Sequence, residues 1–167
     1  ALTATDPVYF PPLQSYHHAL AGRNALLKRG ASPAEFAAFE HPLATAAASL
    51  AALRAAGIHA FSTGVSSAYA RISGSAEPAA LPYAPDSSTS GAAGWTALFE
   101  RNRPRDLLMK TTLAGPHRDD CDLTVSGKPA REFASEGQQR SLAVALRVAE
   151  VGYLHARTGA QPLLLAV

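Results

Sequence analysis

The chain has 167 residues, 47% of them hydrophobic, and a formal net charge of +2, enough to bury one core or two small ones but too mild a balance to argue for nucleic acid by itself. A single cysteine, Cys121, excludes an internal disulfide and favours a reducing compartment. The six histidines show no zinc-ligand spacing, no apolar run approaches the roughly 20 residues that cross a bilayer, and the first ten residues lack a secretory pattern.

Pro11 and Pro12 open a predicted helix with Leu13, Tyr16, Leu20 and Leu27 near helical period, closed by Gly30. Ser32-Pro33-Ala34-Glu35 forms a capping box with proline at the first helical position. Pro42 is expected to divide that helix or start a new one. An alanine-rich helix over 43–56 places Leu43, Ala46, Ala47, Leu50 and Leu53 on one face, with Gly57 as a stop. Phe61, Val65, Tyr69 and Ile72 continue the helical period to Ser73-Gly74.

Residues 73–94 are rich in Gly, Ser, Pro and Ala and read as loop, with Leu81-Pro82-Tyr83 a short edge strand. Residues 95–102 read as one short helix. Leu107–Leu113 reads as a strand leading to a Gly115-Pro116 turn. Residues 121–125 alternate apolar and polar, Ser126-Gly127-Lys128 signals a hairpin, and 129–133 is the returning strand. The clearest helix covers about 136–157, with Leu142, Ala145, Leu146, Ala149 and Tyr153 on one face and Gly159 after it. Residues 162–167 read as a buried strand. That apolar end, and the start at Ala1, predict a fragment of a longer protein.

Three stretches carry candidate chemistry. In the first, Ser135 stands at an N-cap and Gln138 completes a capping box. The local reading is a well-capped helix. A sharper reading uses Gly137, which lets another molecule approach unpaired amides at the positive end of the helix dipole, an arrangement suited to phosphate. The second is Thr111-Thr112-Leu113-Ala114-Gly115-Pro116-His117-Arg118-Asp119-Asp120, on local grounds a strand and a solvated turn with an ion pair. A kinase-type His-Arg-Asp loop is rejected, because Thr124 stands where asparagine is needed and no glycine-rich loop or strand lysine accompanies it. The third runs from Tyr16 through Arg23 and Asn24 to Lys28, on local grounds an amphipathic helix with a basic solvent face.

Ser135-Glu136-Gly137-Gln138-Gln139 is similar to the signature motif of ABC ATPases, and the string FASEGQQRSLAVALRVAE resembles the RecF family of the ABC/SMC class. The GPHRDD string and the Y…L…RN.LLK segment resemble the same family, in the same order. The likeness spans most of the chain and is weakest over 73–94. Glu136 replaces the first glycine of the usual signature.

The resemblance implies an α-helical lid domain over 1–104, followed over 105–167 by an α/β segment of an ABC-type P-loop ATPase head, with the signature helix and the start of a Walker B strand. It implies ATP and Mg2+ as cofactors of the whole protein, with ATP contacted across a homodimer by Ser135, Glu136, Gly137, Gln138, Gln139 and Arg140. His117, Arg118 and Asp119 become candidate head-site contacts. Arg23, Lys28, Arg29, Arg101, Arg103 and Arg105 become candidate contacts to DNA, duplex and gap junctions. Implied too are RecR and other recombination mediators as partners, a cytoplasmic location, no membrane, and a role in repair, replication and the SOS response. No G-x-x-x-x-G-K-[ST] occurs in the chain, so no catalytic residue is assigned within it, and weak DNA-dependent ATP hydrolysis is expected of the full protein only. Two rival readings stand beside this one: an SMC- or RecN-type head, which would need long heptad runs, and a non-enzymatic helical interaction module.

Overall fold

The computed structural model of the chain describes residues 8–159, so the strand expected at 162–167 lies outside the described residues. The described chain is mostly helical. Helix α1 spans Phe10–Arg29 and α2 spans Pro33–Ser73. Two short strands follow, β1 at Ala79–Ala80 and β2 at Tyr83–Ala84. Helix α3 spans Gly91–Met109, and one 3-10 turn covers Pro116–Arg118. Strands β3 (Asp120–Cys121), β4 (Thr124–Val125) and β5 (Lys128–Pro129) lead to the one-turn helix α4 (Ala130–Phe133) and the long helix α5 (Glu136–Thr158).

Packing divides the described residues into two compact units that interleave in sequence: 54–84 with 121–159, and 8–53 with 85–120. Helix α2 gives its first half to the second unit and its last twenty residues to the first.

The unit holding 54–84 and 121–159 has a core of Ala68, Tyr69, Ala79, Val125, Ala130, Leu142 and Ala145. Strands β1, β4 and β5 form an antiparallel sheet with β4 central, Ala79 opposite Val125 and Val125 opposite Lys128. That register leaves Ser126-Gly127 as a two-residue hairpin loop, and both have positive φ, 50° and 74°, the backbone a tight hairpin needs. Helix α5 buries Leu142, Ala145 and Ala149 at the expected helical spacing and ends at Gly159 with φ of 67°.

The unit holding 8–53 and 85–120 packs Tyr16, Ala19, Leu26 and Leu27 of α1, Phe36, Leu43, Ala47 and Leu50 of α2, and Trp95, Leu98 and Phe99 of α3. The expected capping box at Ser32 forms, with the Glu35 amide donating to Ser32 Oγ at 3.3 Å and the Ser32 amide donating to Glu35 Oε2 at 2.9 Å. Gly22 permits a close approach of α1 to α2, since a Cβ there would stand 2.2 Å from the Phe39 ring.

Several expectations are corrected. Pro42 neither divides nor starts a helix, Gly57 does not stop one, and α2 runs unbroken through both. The helix expected at 95–102 extends to Met109 through Pro104. The strand expected over 107–113 does not form: α3 continues to Met109 and is closed by Lys110 in the left-handed region, φ 54°. Past Pro129 the expected strand gives way to α4. The prolines are tolerated because side chains near them are clamped. Glu40 and Asp106, each two residues from a proline, are buried and held by one arginine, and tertiary contacts of this kind override local propensity. An 18-residue window of α2 reaches a mean hydropathy of 1.2, apolar and long enough by composition to cross a membrane. The Leu43, Ala44, Ala47 and Leu50 face of that helix is fully buried in protein.

Candidate functional site

Arg23 has no exposed surface, although the sequence suggests a solvent-facing base. A buried guanidinium must be paired and hydrogen-bonded, and Arg23 satisfies this with four acceptors. Its Nε donates to Glu40 Oε1 at 3.0 Å and its Nη1 to Asp106 Oδ2 at 2.7 Å and to Thr112 Oγ1 at 2.8 Å; its Nη2 donates to the Phe99 carbonyl at 3.1 Å. The guanidinium also lies 5.4 Å from the Phe99 ring centroid. Arg103 donates to both oxygens of Glu40. Two arginines and two carboxylates therefore join α1, α2 and α3 in one buried charge cluster.

The cluster extends to the GPHRDD segment. The backbone amide and the hydroxyl of Thr112 both donate to Asn24 Oδ1 at 2.8 Å, and the Leu113 amide donates to Asp106 Oδ1 at 3.1 Å. His117 Nε2 lies 3.1 Å from the Thr112 carbonyl and Nδ1 lies 2.7 Å from the Tyr16 hydroxyl. A carbonyl can only accept, so Nε2 carries a proton, while Nδ1 shares a hydrogen bond with the Tyr16 hydroxyl, accepting from it when the ring is neutral. The residue is exposed, yet both ring nitrogens are engaged in these part-buried hydrogen bonds. That burial, with the Arg118 charge beside it, lowers the His117 pKa from its ordinary 6.5, against the opposing pull of the Thr112 carbonyl, Asp86 and Asp119.

Gly115 adopts a φ of 141°, and a Cβ there would stand 2.6 Å from the Tyr16 hydroxyl. Its amide donates to Asp86 Oδ2 at 3.1 Å, and the Asp86 amide donates to Asp119 Oδ1 at 3.0 Å. Two motifs far apart in sequence thus meet in one unit: of α1, Asn24 accepts from the Thr112 amide, Arg23 donates to the Thr112 hydroxyl and Tyr16 meets the His117 ring.

The start of α5, in the other unit, is a separate candidate. Ser135 caps the helix, accepting from the Gln138 amide at 3.3 Å while its own amide donates to Gln138 Oε1 at 2.8 Å. Gln138 Nε2 donates to Glu77 at 2.8 Å, and Gln139 Nε2 to the Ala134 carbonyl at 3.0 Å. Glu136 and Arg140 pair along the exposed helix face at 2.6 Å. The amides of Glu136 and Gly137 are first-turn amides with no intrahelical acceptor. Gly137 is exposed, and beyond its own stretch of helix backbone no atom lies within 4 Å of where its Cβ would stand. A capped, open helix start with free amides suits an incoming anion.

The basic candidates separate. Arg23 is corrected from DNA contact to buried structural centre, because reaching a phosphate would abandon two buried carboxylates. Arg103 is mostly covered, with 20% side-chain exposure, and committed to Glu40. Lys28, Arg29, Arg101 and Arg105 are exposed, and Arg29 pairs with Glu35, which is also exposed. Arg118 is exposed, and Asp119 accepts the Asp86 amide. Missing from the sequence reading were Glu40, Asp86 and Asp106. One signal was there for Glu40: it falls four residues after Phe36 and three before Leu43, on the apolar stripe of its helix.

No protein-family model matches the chain. It is similar to the DNA replication and repair protein RecF of Geobacter metallireducens, 36% identical over 171 residues, a match covering 99% of this chain and 47% of the relative. RecF of an Anaeromyxobacter species is 38% identical over 167 residues, covering 95% of this chain and 45% of the relative. A solved structure of the recombination mediator protein RecF-ATPrS in the RecFOR pathway superposes with a TM-score of 0.88 at 25% identity, covering 96% of this chain and 46% of that one. The chain spans about half the length of the relatives it matches.

Proposed function

Because this chain is a segment of the RecF family, we propose that it supplies the helical lid, 1–104, and the signature-bearing part of the ATPase head, 105–167, of an ATP-switched protein of recombinational repair and replication-fork recovery. The observation that carries this reading is the capped, solvent-open start of α5 at Ser135–Arg140. In the working dimer, Ser135 and the amides of Glu136 and Gly137 meet the γ-phosphate of a nucleotide held by the second copy, with Gln138, Gln139 and Arg140 on the same exposed turn. ATP supplies the anionic group that draws the two copies together, and its slow hydrolysis releases them. The residues suit this role, since the first-turn amides have no intrahelical acceptor and Gly137 leaves the approach clear.

His117, Arg118 and Asp119 shape the head in this reading, and the Arg23 cluster holds their segment in place. In this reading Mg2+ belongs to the parts of the protein that carry the nucleotide's own site. The protein binds duplex DNA near single-strand gaps, through Lys28, Arg29, Arg101 and Arg105, and works with RecR and other mediators in the cytoplasm as part of the SOS response.

The test is Ser135→Arg in the full-length protein. ATP binding, followed with a fluorescent analogue, stays near wild type, while ATP-dependent dimerisation in sedimentation velocity is lost. Normal dimers of that variant with ATP remove the proposal.

A further inference from the structure

One polar pocket of about 430 Å³ lies wholly within the unit of 8–53 and 85–120, lined by Asp86, Ser88, Arg101, Asn102, Arg105 and Asp106 among others. We infer that it seats a single phosphate group. Arg101 and Arg105 stand four residues apart on α3 and so share a face, where two like charges repel. Neither makes a hydrogen bond or ion pair among the described residues, and the same holds for the side chains of Ser88 and Asn102. The acidic residues of the pocket are already answered. Asp106 is held by Arg23 and the Leu113 amide, and Asp86 accepts the Gly115 amide.

What remains unpaired is two guanidinium groups, which can only donate, and an amide and a hydroxyl, which can donate as well as accept, beside two carboxylates that are already engaged. A phosphate presents more acceptor oxygens than a carboxylate and suits such a set, and arginine is the residue that best matches it. The pocket wall at Leu113–Ala114 leads directly into the Gly115 turn, so a phosphate seated here lies against the segment that the Arg23 cluster holds. The phosphate comes either from a nucleic-acid strand or from free solution. The strand source rests on the DNA-binding reading given under Proposed function.

The test uses the full-length protein and three forms of it: wild type, the double variant Arg101→Gln with Arg105→Gln, and Ser88→Asp, which places a negative charge in the pocket from an exposed loop. Duplex binding is followed by anisotropy of a labelled oligonucleotide at several salt concentrations. Inorganic phosphate is followed separately by broadening of its phosphorus NMR line. If the pocket holds a strand phosphate, both variants weaken duplex binding and the slope of log K against log salt falls by about one. If it holds free phosphate, the slope is unchanged and the line broadening is lost in both variants. Should the double variant fail to fold by circular dichroism, Ser88→Asp carries the test. Folded variants with wild-type salt slope and wild-type phosphate broadening overturn the inference. A wild-type protein that binds no duplex overturns the DNA reading instead, and leaves the pocket to be judged on inorganic phosphate.

Discussion

Arg23 and Asp106 meet at 2.7 Å with no more than 1% of either side chain exposed, joining α1 to α3 across 83 residues of sequence. Removing one partner of a buried ion pair leaves an uncompensated charge in the core, at a cost of about 3–5 kcal/mol. Arg23→Ala strands Asp106 and leaves Glu40 with Arg103 alone. Urea denaturation of this variant is expected to show a loss of that order. Were Arg23 a phosphate contact instead, the variant would keep its stability and lose salt dependence of DNA binding, the opposite pattern.

The backbone at Gly115 gives a second prediction. Its φ of 141° is open to glycine alone, and the Tyr16 hydroxyl occupies the place a Cβ would need. Gly115→Ala has to push Tyr16 away and break its bond to His117. The expected loss is about 1–3 kcal/mol for the backbone strain, with more from the broken contact. Gly30→Ala serves as a comparison, since its φ is also positive but nothing lies within 4 Å of its Cβ position. Equal losses at the two sites would contradict the packing argument.

His117 makes stability depend on pH with a defined sign. Its folded pKa lies below its ordinary value of 6.5, so the unfolded chain binds the proton more readily. The neutral ring contributes fully above about pH 6.5, and that contribution is lost as pH falls toward the folded value. Protonation would put a second donor on Nδ1 facing the Tyr16 hydroxyl, which then has to turn and accept. Arg118 opposes the charge, while Asp86, Asp119 and the Thr112 carbonyl favour it. Thermal melts between about pH 5 and 7.5 are expected to show a stability slope in wild type that His117→Gln reduces. An unchanged slope in the variant would place the titrating group elsewhere.

Periodicity and caps made most helices legible. Ser32, Ser135, Gly30 and Gly159 mark ends that local chemistry determines, and they stand where the sequence puts them. The misreadings share one cause. Pro42 and Pro104 break helices only where nothing else holds the chain, and here Glu40 and Asp106 are anchored through a residue that local rules place on the surface. Leu107-Leu108-Met109 looks like a strand because it is apolar, yet Leu108 is 83% exposed at a helix end. The signature-like turn was readable because a capping box is contained in four residues. The support for GPHRDD was not, since Tyr16, Arg23 and Asn24 reach it only after the chain has folded.

Gly137 separates the structural from the functional reading of the helix start most cleanly. In the chain as folded it is an exposed first-turn glycine with empty space where a side chain would go. Gly137→Ala is expected to leave stability unchanged or raise it by up to about 1 kcal/mol, because alanine loses less backbone entropy in a helix. Ser135→Ala, by contrast, removes the cap and is expected to cost about 1 kcal/mol. If the turn does nothing but cap a helix, function tracks stability, and the alanine at 137 is harmless. If a partner's nucleotide packs against this backbone, that methyl group intrudes on the contact, and ATP-dependent dimerisation weakens in a protein that melts no earlier than wild type. Melting curves and sedimentation with ATP on the same preparations distinguish the two. A Gly137→Ala protein that dimerises normally would return the motif to a simple capped helix.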